Sequence, residues 1–413
     1  MSAAPPPSLF SGDHGRFLAG ITLTSFAIQL QGTTVGYHMY RLTGDPLALG
    51  MVGLAEALPF IGLALGGGLV ADRFDRRKVA LAALTVMSVG ALALVALARG
   101  EVAAGAQVVR ISIYGLLALG GVCRSFLQPV RSALAATLAP KQLQAQAVAW
   151  RTGLFQLASV VGPAVGGLAL KRFGVSGAYG LAAALLLAAL VLLATVRAPV
   201  REARPPARSL LHSLREGFVF LKSDSVLLPA ILLDLFAVLF GGAVALLPVF
   251  ASDILRVGPG GFGLLRAAPA AGALVAAAVL AVRPPLRRAG PALLLSVAGF
   301  GLAIIVFGAS RSFPLSLAAL AVSGGLDMVS VLVRSTLLQV RVPEHMLGRV
   351  ASINQIFIGS SNEIGAFESG VAARLLGTVP AVLFGGGVTL AVVAVATWRA
   401  PSLRRLGALV PEQ

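Results

Sequence analysis

Twelve apolar runs, each long enough to cross a bilayer, follow one another along this 413-residue chain. A crossing takes about 20 predominantly apolar residues in a helix. Read between charges and Gly/Pro breaks, the runs lie near 15–41, 47–71, 78–98, 106–139, 145–171, 176–197, 225–252, 259–283, 289–309, 313–341, 348–375 and 379–398. Hydrocarbon offers no partner for a backbone N–H or C=O, so runs this long and continuous must close their hydrogen bonds internally as helices. The expected fold is an all-α integral membrane protein with twelve transmembrane helices. Only 12% of the residues are charged, about half the share found in a soluble domain. That excludes a soluble enzyme, a disordered chain and a secreted disulfide scaffold. A single cysteine, Cys123, and four scattered histidines leave no disulfide framework and no metal site. Met1 to Asp13 lacks the charged-then-apolar order of a cleavable leader, and none is expected.

A formal charge of +17 raises nucleic acid as a partner. The positive-inside rule gives a simpler account. With the N-terminus placed in the cytoplasm, 21 of the 33 Lys and Arg fall on the inner side, 7 on the outer side and 5 within the spans. The bias predicts both termini on the cytoplasmic side of the membrane, and no nucleic-acid partner.

The longest hydrophilic stretch separates the sixth and seventh runs and divides the chain at 1–198, 199–224 and 225–413. Within it Leu210, Leu211, Leu214, Phe218 and Leu221 recur at three- to four-residue spacing, which predicts a short amphipathic helix on the inner membrane surface. The two six-run halves repeat. Val130-Arg131-Ser132 returns as Val333-Arg334-Ser335, and Pro59, Arg73 and Arg77 return as Pro269, Arg283 and Arg287. Parallel repeats of six spans describe a known transporter architecture.

Between the second and third runs stands Gly68-Leu-Val-Ala-Asp72-Arg73-Phe-Asp75-Arg76-Arg77-Lys78. This resembles the loop signature of major facilitator transporters, Gly-x-x-x-Asp-Arg-x-Gly-Arg-Arg/Lys. Asp75 stands where the pattern has glycine, and an aspartate there is placed to cap the next helix. Gly162-Pro163-x-x-Gly166-Gly167 is similar to the Gly-Pro motif of the exporting branch, with Ala158 in place of its usual upstream glycine. Tyr179-Gly-Leu-Ala-Ala-Ala184, Leu337-Leu-Gln339 and Pro343-Glu-x-x-Leu-Gly-Arg349 resemble the bacterial branch that contains siderophore exporters and macrolide efflux proteins. The resemblance implies two pseudo-symmetric six-helix bundles and a cytoplasmic gate built from Gly68, Asp72, Arg73, Arg76, Arg77, Arg131 and Arg349. It also implies an antiporter motif at Gly162, Pro163, Gly166 and Gly167. The bilayer, a small molecule and protons would be its partners.

Apart from the Lys and Arg already assigned to the inner and outer sides, ten acids and arginines lie inside the runs: Glu56, Asp234, Asp327, Glu363, Glu368, Arg110, Arg124, Arg151, Arg266 and Arg334. Each costs about 2.5–3.5 kcal/mol at a helix centre, so each should face a partner or a watery cavity. None falls in the third, sixth, ninth or twelfth run, which in the resembled fold are the lipid-facing ones. Arg110, Arg151 and Arg334 lie near run ends, where they can snorkel. Arg124 is the candidate cation for an anionic substrate. Glu56, Glu363, Glu368, Asp234 and Asp327 are the candidate proton carriers, with Glu56 and Glu368 at matching depth. Gln29, Gln31, His38, Gln128, Gln156, Asn354 and Asn362 join Arg124 and Asp327 as cavity candidates, against plain interhelical hydrogen bonding.

No phosphate loop and no nucleophile–base constellation is present, so neither ATP nor a cofactor is expected, and an enzyme is disfavoured. The expected function is proton-coupled export of a small amphiphilic molecule, siderophore-like or drug-like by resemblance, through a monomer. An importer or lipid flippase of the same fold is the rival, as is a non-transporting scaffold or sensor.

Overall fold

A computed structural model of the chain describes residues 9, 10, 12–197, 210–282 and 287–408, with side chains described outside 64–69, 71–73 and 210–214. Every regular element among the described residues is a helix. They are α1 (Gly12–Thr43), α2 (Pro46–Arg73), α3 (Arg76–Arg99), α4 (Ala106–Leu138), α5 (Gln144–Ala194), α6 (Leu210–Ser223), α7 (Leu227–Gly241), α8 (Gly258–Val282), α9 (Ala289–Ala309), α10 (Phe313–Arg341), α11 (Glu344–Leu376) and α12 (Thr378–Arg399). Short helical turns fill several connections.

Nine helical stretches among the described residues are long and apolar enough to cross a membrane. One of them, Lys141–Ala194, has 54 residues and carries both the fifth and the sixth apolar run. Its reversal is made at Gly174, with φ 66° and ψ −172°, a backbone region essentially confined to glycine. The first and eleventh runs fall on α1 and α11, of 32 and 33 residues, which are more polar. Large apolar side chains such as Leu295, Val191 and Val275 point outward, as lipid-facing residues do.

Local chemistry sets the helix ends. Asp75 caps α3 as expected, accepting from the N–H groups of Arg77 at 2.9 Å and Lys78 at 3.3 Å. Gly44, Asp45 and Pro46 make the α1–α2 turn: Gly44 takes φ 59°, Asp45 accepts from the Leu47 N–H, and Pro46 supplies the pre-set first residue of α2. The seventh run is interrupted. After Gly241 it continues as a 3₁₀ turn, Ala243–Leu246, and a π turn, Phe250–Ile254. The freed Gly242 carbonyl accepts from the Ser369 hydroxyl of α11 at 3.3 Å.

The chain forms two compact units: Met1–His38 with Leu58–Pro206, and Met39–Ala57 with Ala207–Gln413. Unit 1 packs Phe17, Leu84, Cys123, Leu127, Leu186 and Leu193 into its core. Unit 2 does the same with Leu227, Ile231, Leu293, Val297, Leu337 and Val350. The amphipathic segment is helical, as its spacing predicts, and belongs to unit 2. Leu221 is fully buried, Gly217 lies close against Ile353 and Arg349, and Glu216 is ion-paired with Arg349. Asp224 caps α7 and pairs with Arg341 at 3.1 Å. The side chains of Leu210, Leu211 and Leu214 lie outside the described residues, and Phe218 is exposed.

Candidate functional site

Unit 2 gathers the acids. The first part of α2 runs antiparallel to α11 along a seam of small residues. A Cβ on Gly50 would stand 3.1 Å from the backbone of Ala366 and Phe367, and one on Gly370 would stand 2.9 Å from the Gly50 Cα. The Gly53 position faces the Glu363 backbone and carboxylate, each at 3.4 Å. One turn further along α2 is Glu56. Arg266 of α8 lies within electrostatic reach of both Glu56 and Glu363. Depth along each helix puts Glu56 opposite Glu368. The seam corrects that register and makes Glu363 the neighbour. Glu368 instead lies beside Ser369, whose hydroxyl is given to the Gly242 carbonyl, and Arg374 pairs with Asp45 at 3.0 Å.

A second polar cluster lies between α7 and α10. Asp234 and Arg334, both almost fully buried, form an ion pair at 2.8 Å. The Ser330 hydroxyl bridges them, donating to Asp234 at 3.5 Å and accepting from the Arg334 Nε at 3.4 Å. Arg334 therefore does not snorkel; it is a core residue held by an acid on the facing helix. Asp327, two turns earlier on α10, is partly accessible and feels the charges of both.

Unit 1 gathers the bases. Arg124 stands over the Phe60 ring, 5.6 Å from its centroid. Arg131, two turns on, lies within electrostatic reach of Arg124 and of Arg151 on α5. Arg110 is partly accessible and donates to Gln107 at 2.9 Å. Gln29 donates to Ser159 at 2.9 Å. Gln31 and Gln156 are partly accessible, and Gln128 is exposed. In unit 2, Asn362 is exposed and donates back to the Ile358 carbonyl, whereas the buried Asn354 Oδ1 has no hydrogen-bond partner.

His38 is placed differently from the expectation of a cavity residue. It is fully buried, with Nδ1 3.2 Å from the Tyr179 hydroxyl and Nε2 3.3 Å from the Glu101 carboxylate. Tyr179 and Glu101 were not read as its partners. The signal available in sequence was Glu101 itself, an acid in the short connection directly after α3.

The motif residues have local roles. Gly162 and Gly166 let α5 approach Gln29, Leu30 and Thr33 of α1, with Pro163 and Gly167 buried beside them. Arg77 donates to the Ala194 carbonyl at the end of α5, where a cation complements the helix dipole. Arg76 sits in the first turn of α3. The side chains of Gly68, Asp72 and Arg73 lie outside the described residues. Asp72, whose place in the gate offers Arg349 or Arg131 as its partner, thus has neither pairing described; the partner of Arg349 among the described residues is Glu216.

The comparisons agree with this architecture. A family model described as Major Facilitator Superfamily matches residues 17–366. The enterobactin exporter EntS of Shigella flexneri is 32% identical over 377 residues, covering 88% of this chain and 86% of that protein. The enterobactin exporter EntS of Escherichia coli O1:K1 / APEC is 31% identical over 376 residues, with the same coverage. Among solved structures, a peptide transporter POT in complex with sulfate superposes with a TM-score of 0.73 at 16% identity, covering 98% of both chains. A D-xylose-proton symporter gives 0.69 at 14% identity, covering 93% of this chain and 96% of that one. At these identities the structural likeness speaks for the fold alone.

Proposed function

Because the chain belongs to the major facilitator superfamily, a group of multi-pass membrane transporters rather than enzymes, we propose that it is a proton-coupled exporter of a small amphiphilic molecule. It sits in a bacterial inner membrane with both termini in the cytoplasm, and works as a monomer by alternating access. The observation that carries the coupling is the trio of Glu56, Glu363 and Arg266 in unit 2. With both acids ionised the trio has net charge −1, and with one proton bound it is neutral. Loading and release of one proton thus changes the charge that must be accommodated in a low-dielectric setting, which is the property a coupling site needs. Asp327 is the reserve carrier, Arg124 the cation that attracts an anionic group, and Arg76 and Arg77 part of the cytoplasmic gate. Export and a siderophore-like substrate rest on the enterobactin exporters the chain resembles.

The test uses proteoliposomes with an imposed proton gradient and enterobactin as the first probe, in right-side-out and inside-out orientation. Wild type should accumulate the probe against its gradient in the export direction. Glu56→Gln and Glu363→Gln should lose uphill accumulation while retaining exchange. Full uphill transport by both variants removes the trio from coupling.

A further inference from the structure

Two arginines of unit 1 have no acid to answer them among the described residues. Among the described residues, Arg131 and Arg151 make no hydrogen bond or ion pair, and the charged groups that Arg131 feels are Arg151 and Arg124. Elsewhere the protein does pair its buried charges, as Asp234 with Arg334. An unanswered guanidinium in a low-dielectric setting is expensive, and two near each other are more so.

Both border open space at the end of unit 1 where α1 begins. Arg151 lines a cleft of about 150 Å³ between α1, α4 and α5, together with His14, Ser132 and Gln144 on an otherwise apolar wall rich in alanine. Arg131 lines a second void of about 20 Å³, room for about one water, and the two share the side chains of Phe17 and Ile21. The charges are therefore at the edge of a space that is apolar over most of its surface and takes a body about the size of a benzene ring.

We infer that Arg131 and Arg151 form a binding site for an amphiphilic anion, whose acid group sits between the guanidiniums and whose apolar body fills the cleft. Charge-assisted bonds to an anion remove the mutual repulsion and the desolvation penalty together. Such chemistry has two sources, the phosphate diester of a membrane lipid and a soluble organic acid. The inference concerns binding and stands apart from the direction and coupling of transport.

The experiment is thermal unfolding of the purified full-length protein in neutral detergent. One arm titrates dihexanoyl phosphatidylglycerol against dihexanoyl phosphatidylcholine, and the other salicylate against salicyl alcohol. At least one anion should raise the midpoint saturably while its neutral counterpart does not, and the responding anion identifies the source. Arg131→Gln and Arg151→Gln should bind that anion at least tenfold more weakly, and Arg151→Lys should keep the preference. Without ligand the two Gln variants should be at least as stable as wild type, because each removes an unanswered charge. The inference is overturned if neither anion acts, if both Gln variants respond as wild type does, or if they fail to fold for want of the arginine.

Discussion

The Asp234–Arg334 pair allows a quantitative test of what a buried charge contributes in this fold. At 2.8 Å and an effective dielectric of about 20, the attraction is about 6 kcal/mol. Removing both ions from water offsets this by several kcal/mol per ion, so the pair as a whole is worth little against a well-packed apolar pair. Removing one partner is a different perturbation, because the other remains buried and unanswered. Asp234→Leu and Arg334→Met should therefore each destabilise the protein by about 3–5 kcal/mol. The double variant Asp234→Leu with Arg334→Met should lie far above the sum of the two, with a large favourable coupling in the cycle. Reversible unfolding in mixed micelles by SDS titration, followed by tryptophan fluorescence, measures all three. Single variants within about 1 kcal/mol of wild type would show that the pair is solvated, and the argument fails. The same double variant also separates roles. If it folds and still accumulates substrate on a proton gradient, Asp234 is a packing residue; if it folds and cannot, Asp234 belongs to coupling.

Three further outcomes follow from the backbone and the caps. Gly174→Ala should destabilise by about 1–3 kcal/mol through its torsion alone, since nothing lies within 4 Å of an added Cβ there; Gly180→Ala, equally open but helical, should be neutral or stabilising in the same unfolding assay. Asp75→Ala should lose about 1 kcal/mol as the first turn of α3 gives up its acceptor, whereas Asp75→Asn should restore most of it. At α6, Glu216→Gln should shift stability by less than about 1 kcal/mol because the pair is about one-third exposed. Gly217→Leu, by contrast, must displace Ile353, which lies 2.9 Å from an added Cβ; limited proteolysis of α6 should accelerate in that variant and not in the first.

What could be read from sequence was whatever depends on one helix at a time. The apolar runs, the cap at Asp75, the amphipathic α6 and the reversal between Arg172 and Val175 all rest on local spacing and turn chemistry. The errors share one cause: sequence gives the depth of a side chain along its helix but not how the helix is rotated or which face of a neighbour it meets. Glu56 and Glu368 match in depth, yet the small residues Gly50, Gly53 and Gly370 decide the contact and bring Glu363 to Glu56 instead. Arg334 looked like a snorkelling residue because it is near the end of its run, but an acid on a different helix holds it inside. His38 looked like a cavity residue because a polar group in a span needs a reason, and the reason was Tyr179 and Glu101.

The docking of α6 decides where the chain tolerates a cut. With Glu216 and Asp224 tying it to α11 and α10 and Leu221 fully buried, a polypeptide severed before Leu210 would leave the helix with the C-terminal fragment as a capping piece. Two co-expressed fragments would then have to find each other by affinity alone. A cut after Ser223 would be more damaging, because it also deprives the C-terminal fragment of that helix.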